Sequence, residues 1–370
     1  MKNILITLFY ADGLHGGVKY SAELGEYFHS LGYRVYLAGV KTNNTTQEFF
    51  KAHHVHLFNV KDFPTDIEFD IVWAHHFPIL PYLIKHRGTG AQKTFKYKYL
   101  INSCISEILP IEKFMPFPKE IDMFLTLTGK LRSAFINDYN FPAARIHILP
   151  NTAPDMFFDY PCTPASDGPH KIAIVSNHPP RELVDAIELF ESAGIDVTMY
   201  GGANPVDITP AVLGQYDAII TIGKTVQYSL AMGIPVYNYD HFGGSGYITP
   251  DNIDVEEAAN FSGRSFRTKK SAEQIVTEVK EQYARTLARV AELKSIAQSR
   301  YRLSTRVGAI LETLQKTAPR GPIEITNENR LFFDYCEFII EALARHDVEY
   351  QKKRERPLHR IWRHIKTGKF

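Results

Sequence analysis

Cysteine is scarce: Cys104, Cys162 and Cys336 are the only three in 370 residues. Their spacing fits no metal-ligand pattern, and an odd, scattered set reads as reduced thiols rather than a disulfide framework. An excess of one charge is also missing. The 42 Lys and Arg against 41 Asp and Glu leave a net charge of +1, so nothing in the charge points to a nucleic-acid partner. No unbroken apolar stretch approaches the ~20 residues that a membrane-spanning helix needs. The run Ile4-Leu5-Ile6-Thr7-Leu8-Phe9 is too short for a signal-peptide core and lacks a small-residue cleavage site. The expected location is therefore cytoplasmic, free or on the inner face of the membrane. Neither G-x-G-x-x-G nor a complete P-loop is present, since Ala218 stands where G-x-x-x-x-G-K needs glycine. No acidic pair or D-x-D arrangement asks for a metal, and no repeat of solenoid length occurs.

What is there is the composition of a folded protein, 44% hydrophobic and 22% charged, long enough for two cores. Short apolar runs at 4–9, 35–40, 55–60, 69–74, 99–104 and 123–128 alternate with helical patterns, as in a parallel sheet covered on both faces. The first helical pattern, 18–31, carries Tyr20, Leu24, Tyr27, Phe28 and Leu31 at helical spacing and stops at Gly32. Residues 159–170, with three prolines and a glycine, read as a linker. The alternation then restarts, with strands at 171–176, 196–200, 218–222 and 235–239 and helices at 182–192 and 225–232. From 271 onward only helical periodicity remains, over 271–299, 303–314 and 331–344. The expected organisation is α/β: a Rossmann-like domain 1–158, the linker, a second Rossmann-like domain 171–315 and a helical extension 316–370. A single large doubly wound sheet is the alternative, and the linker favours two halves.

Several strand ends carry residues suited to chemistry. The first strand runs into Leu14-His15-Gly16-Gly17-Val18, where glycines let backbone N–H groups approach a ligand and a helix start favours negative charge by ~0.3–1 kcal/mol. Strand 69–74 ends in His75-His76-Phe77-Pro78, at the sheet edge where open α/β folds bind ligands. A histidine there suits a general base or a sugar-hydroxyl partner, or simply caps or underpacks the next helix. Gly223-Lys224-Thr225 joins a strand to a helix and offers N–H groups, a cation and a hydroxyl to a diphosphate; Thr225 alone would suit plain capping. Asn177 and Arg181 follow strand 171–176, where the forked donors of Arg181 suit a phosphate unless it is merely solvated. Gly201-Gly202 and His241-Phe242-Gly243-Gly244 close two further strand ends. If all four strands belong to one parallel sheet, these loops converge on one rim.

Together these stretches resemble the GT-B glycosyltransferases, especially the family-4-like group of bacterial surface-polysaccharide type. The matching residues are Gly16-Gly17-Val18 with Leu24 and Gly32-Tyr33-Arg34-Val35, Asp70-Ile71-Val72 with Ala74-His75-His76, 145–152 with Phe157-Phe158, and Gly233-Ile234-Pro235-Val236. The likeness covers about residues 1–265. It implies two doubly wound domains facing a central cleft, the first taking the acceptor and the second a nucleotide-diphosphate sugar as co-substrate. Gly16 and Gly17 would face the donor phosphates, His75 or His76 would lie near the transferred sugar, and Lys224 and Thr225 would hold the diphosphate, helped by Arg181. One departure matters. Retaining members carry two glutamates around the donor helix, and the corresponding positions here are Ile220 and Tyr228. The stereochemical outcome and the base stay open. Helix starts and cations can neutralise a leaving diphosphate, so metal-independent transfer without a cofactor is expected.

The end of the chain departs from the neutral balance. Leu358, Ile361, Trp362 and Ile365 form one helical stripe among basic residues in 352–370, which suits an anionic membrane surface or docking on the protein itself. The expected function is transfer of a sugar to a glycan or lipid-linked acceptor in surface polysaccharide synthesis. A nucleotide-sugar epimerase or polyol-phosphate transferase of the same fold, and a non-catalytic scaffold subunit, are the alternatives.

Overall fold

The computed structural model describes residues 1–87, 95–104, 112, 117–202, 204 and 206–355, with side chains up to 345. The chain divides into two compact units, Met1–Met123 with Pro319–Phe370, and Phe124–Ala318. Seven strands form the first sheet: β1 (Lys2–Ala11), β2 (Tyr33–Thr42), β3 (Val55–Asn59), β4 (Phe69–Ala74), β5 (Tyr97–Cys104), β6 (Met123–Thr126) and β7 (Ile146–Ile148), in the order β3-β2-β1-β4-β5-β6-β7. The pairings of β1 with β2 and β4, β2 with β3, β4 with β5, and β6 with β7 are all parallel. Five strands form the second sheet: β8 (Lys171–Val175), β9 (Asp196–Tyr200), β10 (Ala218–Thr221), β11 (Val236–Asp240) and β12 (Gly243–Tyr247), in the order β12-β11-β10-β8-β9.

Burial on both faces explains why the strands read as continuous apolar runs. Ile4, Leu5 and Ile6 are all fully buried although alternate residues of a strand face opposite ways. In the second sheet the alternation is explicit. Ile172, Ile174, Ile220, Tyr237 and Tyr239 pack with Leu183, Phe190, Val279 and Tyr283. Ala173, Ile219 and Val236 pack on the other face with Leu230, Met232, Leu293 and Tyr301. Each large apolar side chain taken fully out of water contributes roughly 1.5–3 kcal/mol, which is what holds the layers.

Helix α1 (Gly16–Ser30) follows β1 and ends at Leu31, with Gly32 at φ +83°, the left-handed stop that its sequence announces. Helices α2 (Asn44–Ala52) and α3 (Ile79–Arg87) follow β2 and β4. In the first sheet the chain moves from β1 to β2 and β3 on one side and takes up β4 and β5 on the other. The carboxyl ends of β1 and β4 therefore sit at a topological switch point, and β8 and β10 flank the corresponding point of the second sheet.

Four differences from the sequence reading have physical causes. Residues 243–247 are a strand antiparallel to β11, not a loop after a parallel strand. Their glycines carry no strand propensity, so nothing local announces it. The helical stretch 271–299 is two helices, Ala272–Leu287 and Val290–Tyr301, separated at Ala288 and Arg289. The apolar run at 55–60 closes at Asn59, whose side chain accepts from the Lys61 N–H and opens a 3-10 turn, Val60–Asp62. The last helix is longer than expected, Arg330–Glu355. The basic tail expected at 352–370 shares only the end of that helix, and its apolar stripe at 358–365 lies outside the described residues. Among the described residues, no helix is long and apolar enough to cross a membrane.

Candidate functional site

In the first unit, β1 delivers the chain to His15, which caps α1 with its backbone only; its ring Nε2 lies 2.8 Å from the Tyr10 carbonyl. No acidic residue stands in the first turn of α1, and Gly16 is exposed with open space where a side chain would project. The helix start is thus unblocked. A side chain at Gly17 would meet the His15 ring and Leu8 at 3.4 Å.

The two histidines after β4 are placed at that same switch point but below the surface. His75 is fully buried, its ring edge-on to Tyr20 at 5.2 Å. Burial, reinforced by neighbouring His76, pushes its pKa down to about 3, with only the Ser103 backbone working the other way. His76 accepts the Phe9 N–H at its Nδ1, 2.7 Å, which leaves Nε2 to carry the proton 3.5 Å from the Glu112 carboxylate. A general base needs an accessible lone pair in reach of its substrate. The lone pair of His76 is taken and that of His75 is walled in, so the base expected at these positions is not available in this arrangement. Their visible work is to fix the ends of β1 and β4: the His75 N–H donates to the Thr7 carbonyl and the Thr7 hydroxyl to the His76 carbonyl, each at 3.3 Å.

In the second unit four strand ends meet. Gly223 adopts φ +65° and ψ −137°, open only to glycine, and turns β10 into the helix Lys224–Met232. Its N–H donates to the Phe261 carbonyl at 2.8 Å, and the space where its side chain would stand is open. The helix start has no side-chain cap and no acid in its first turn, and the Thr225 hydroxyl donates to no group among the described residues. Beside it, the Asn177 side-chain Oδ1 accepts the Gly202 N–H at 3.4 Å, joining the loops after β8 and β9. Gly201, at φ +103°, presses so closely on the Ser176 carbonyl that no side chain fits. The Ser176 hydroxyl donates to Asp240 at 2.8 Å, and Asp240 also accepts the His241 N–H at 2.6 Å. One buried carboxylate therefore ties the loop after β8 to the turn after β11.

Not every expected residue joins this rim. Arg181 starts the helix Arg181–Ser192 but lies outward on Asp185, 2.8 Å away, with its side chain 87% exposed. That pairing is the ordinary one between residues four apart on a helix. Lys224 turns to the Thr152 carbonyl at 2.7 Å and lies 5.3 Å above the Tyr228 ring. Gly243 and Gly244 are buried in β12, where side chains would run into the Thr268 and Asn238 carbonyls. Their glycine identity is a packing requirement. Ile220 and Tyr228, at the positions where the resemblance implies carboxylates, are core residues, Tyr228 stacked on Phe157 at 4.2 Å.

Other residues of the rim escaped the sequence reading. Glu256 is fully buried; one of its oxygens accepts from Asn238 at 2.9 Å and from Ser265 at 3.0 Å. Asn260 accepts from Asn151 at 2.9 Å, so the Pro150-Asn151-Thr152 turn, through Asn151 and Thr152, is tied to the loop that holds Gly223. A Pro-Asn turn was visible in the sequence, but its partners lie more than 70 residues away.

No protein-family model matches the chain, and no curated protein does. Solved structures do. The pneumococcal O-GlcNAc transferase GtfA, in complex with UDP and GlcNAc, superposes with a TM-score of 0.54 at 11% identity, over 85% of this chain and 99% of that one. A mutant of S. aureus TarM, in complex with fondaparinux, α-GlcNAc-glycerol and UDP, gives 0.50 at 10% identity, over 85% and 100%. At such identities the likeness is one of architecture. The chain has the GT-B glycosyltransferase fold.

Proposed function

We propose that this chain transfers a sugar from a nucleotide-diphosphate sugar to a glycan or lipid-linked acceptor of a bacterial surface polysaccharide. The observation that carries the reading is the unblocked helix start at Gly223, set at the switch point between β8 and β10. Such a start presents N–H groups and a partial positive charge to a phosphate. In this reading the diphosphate lies on the Lys224 and Thr225 N–H groups and the Thr225 hydroxyl, with Asn177, Gly201 and Gly202 beside it. The helix start at Gly16, within the first unit, has the same unblocked character. UDP in the GtfA and TarM structures supports a nucleoside diphosphate as the leaving group. Fixed dipoles and cations neutralise that group, so the reading includes metal-independent transfer. It also places the enzyme on the cytoplasmic side of the membrane, where the basic tail at 352–370 meets anionic lipid.

The test is incubation of the purified protein with UDP-, GDP- and dTDP-sugars, with and without acceptor glycans, reading nucleoside diphosphate release. Release that requires an acceptor supports transfer. Conversion of the donor without any acceptor would show an epimerase, and a panel in which no nucleotide raises the melting temperature would point to a scaffold subunit.

A further inference from the structure

We propose that Arg264, from the loop after the helix Ile253–Ala258, is the guanidinium that grips the phosphates of the nucleotide donor at Gly223, in place of Lys224 and Arg181. The inference rests on the donor-site reading above and names a residue that neither motif nor spacing singles out.

Cations around this rim are mostly committed to the protein. Lys224 is on the Thr152 carbonyl, Arg181 on Asp185, Lys269 on Glu182, and Lys270 on Glu278 and the Tyr237 hydroxyl. Arg264 differs. Its guanidinium lies 4.1 Å over the Phe242 ring, and among the described residues it makes no hydrogen bond or ion pair. A stacked guanidinium keeps its five donors in a fixed plane while its charge stays unneutralised, the condition in which it recognises phosphate best.

The loop is built to put it there. Phe261 holds the Gly223 N–H through its carbonyl, and Gly263 packs against the Gly243 carbonyl and the Ile222 side chain, so Arg264 leaves the backbone next to the helix start. Asn260, Phe261 and Arg267 take φ of +53°, +50° and +52°, a conformation that side chains adopt at a cost and that clusters at functional sites. Ser265, the next residue, is pinned to buried Glu256. Arg267, in the same loop, is exposed and stacks on no ring among the described residues, which makes it the internal control.

Binding of ADP, GDP, UDP and dTDP, and of the matching monophosphates, is measured by calorimetry on the full chain. For whichever base binds, Arg264→Ala is expected to weaken the diphosphate on the order of tenfold or more, the loss of charged hydrogen bonds. The monophosphate should change by no more than about threefold, because fewer phosphate oxygens are in reach. Arg264→Lys should fall between, Arg267→Ala should match the wild type, and the melting temperature of each free variant should stay at the wild-type value. Equal affinity of Arg264→Ala and wild type for the diphosphate overturns the inference and leaves the donor-site reading standing. Equal loss of mono- and diphosphate overturns it too, as would a lowered melting temperature that Arg264→Lys shares. A wild type that binds none of the four nucleotides sinks both.

Discussion

At His75, burial outweighs the contacts that would keep an imidazole charged, and this has a thermodynamic consequence. The folded pKa is near 3 while the unfolded chain titrates at 6.5, so below 6.5 the unfolded state binds a proton that the native state refuses. The contribution of this neutral ring is complete above pH 6.5 and is lost as pH falls toward 3, by about 1.4 kcal/mol per pH unit. Urea unfolding between pH 7.5 and 5 should show that slope, and His75→Phe should remove it whatever its baseline stability; an unchanged slope in the variant would mean that the ring is not buried neutral. Glycines divide in the same residue-level way. Gly16→Ala, in open space, should shift stability by no more than about 0.5 kcal/mol. Gly244→Ala drives a methyl into the Asn238 carbonyl and should cost about 3 kcal/mol or more, read from the urea midpoint.

Among elements, the helix Arg330–Glu355 has two unlike faces. Phe333, Cys336 and Ile340 are buried, and Lys85 and His86 of α3 bind it through Asp334 and Glu337. Leu331, Tyr335 and Phe338 are 77%, 50% and 60% exposed and fall at i, i+4 and i+7 on another face. The same helix leads toward Lys352, Lys353 and Arg354 in the sequence. Replacing all three apolar residues by serine should lower the melting temperature by only a few degrees, since each is half or more exposed. Co-sedimentation with phosphatidylglycerol vesicles should drop on the order of tenfold; undiminished sedimentation would remove this face from membrane binding. Legibility differs among elements for a related reason. Strands buried on both faces print apolar runs, and β1, β4 and β10 are readable from them. The strand β12 is held by backbone contacts that only glycine allows, at Asn238 and Thr268, so its sequence looks like a turn. The loop 260–267 owes its shape to Glu256, Asn151 and Gly223, partners that no local pattern connects. At Arg181 the competing partner is visible in the sequence itself: Asp185, four residues on.

Across the whole molecule, the two switch points explain why the fold was legible before the site. Strand order follows from alternation and crossover rules, whereas a binding rim is assembled from residues distant in sequence: Ser176 with Asp240, Asn177 with Gly202, Gly223 with Phe261. A ligand that settles on such a rim must stabilise several of these ties together. At a hundredfold excess over its dissociation constant, binding contributes about 2.7 kcal/mol to the native state. Hydrogen exchange of the full chain with and without the best-binding nucleoside diphosphate should therefore slow at 176–178, 201–202, 222–226 and 260–265 together. The edge at Met1, Asn3, Lys98 and Arg320, on the amino-terminal ends of β1 and β5, should exchange as before. Slowing concentrated at that edge would place the ligand on the opposite side of the first sheet and would dissolve the link between strand order and binding.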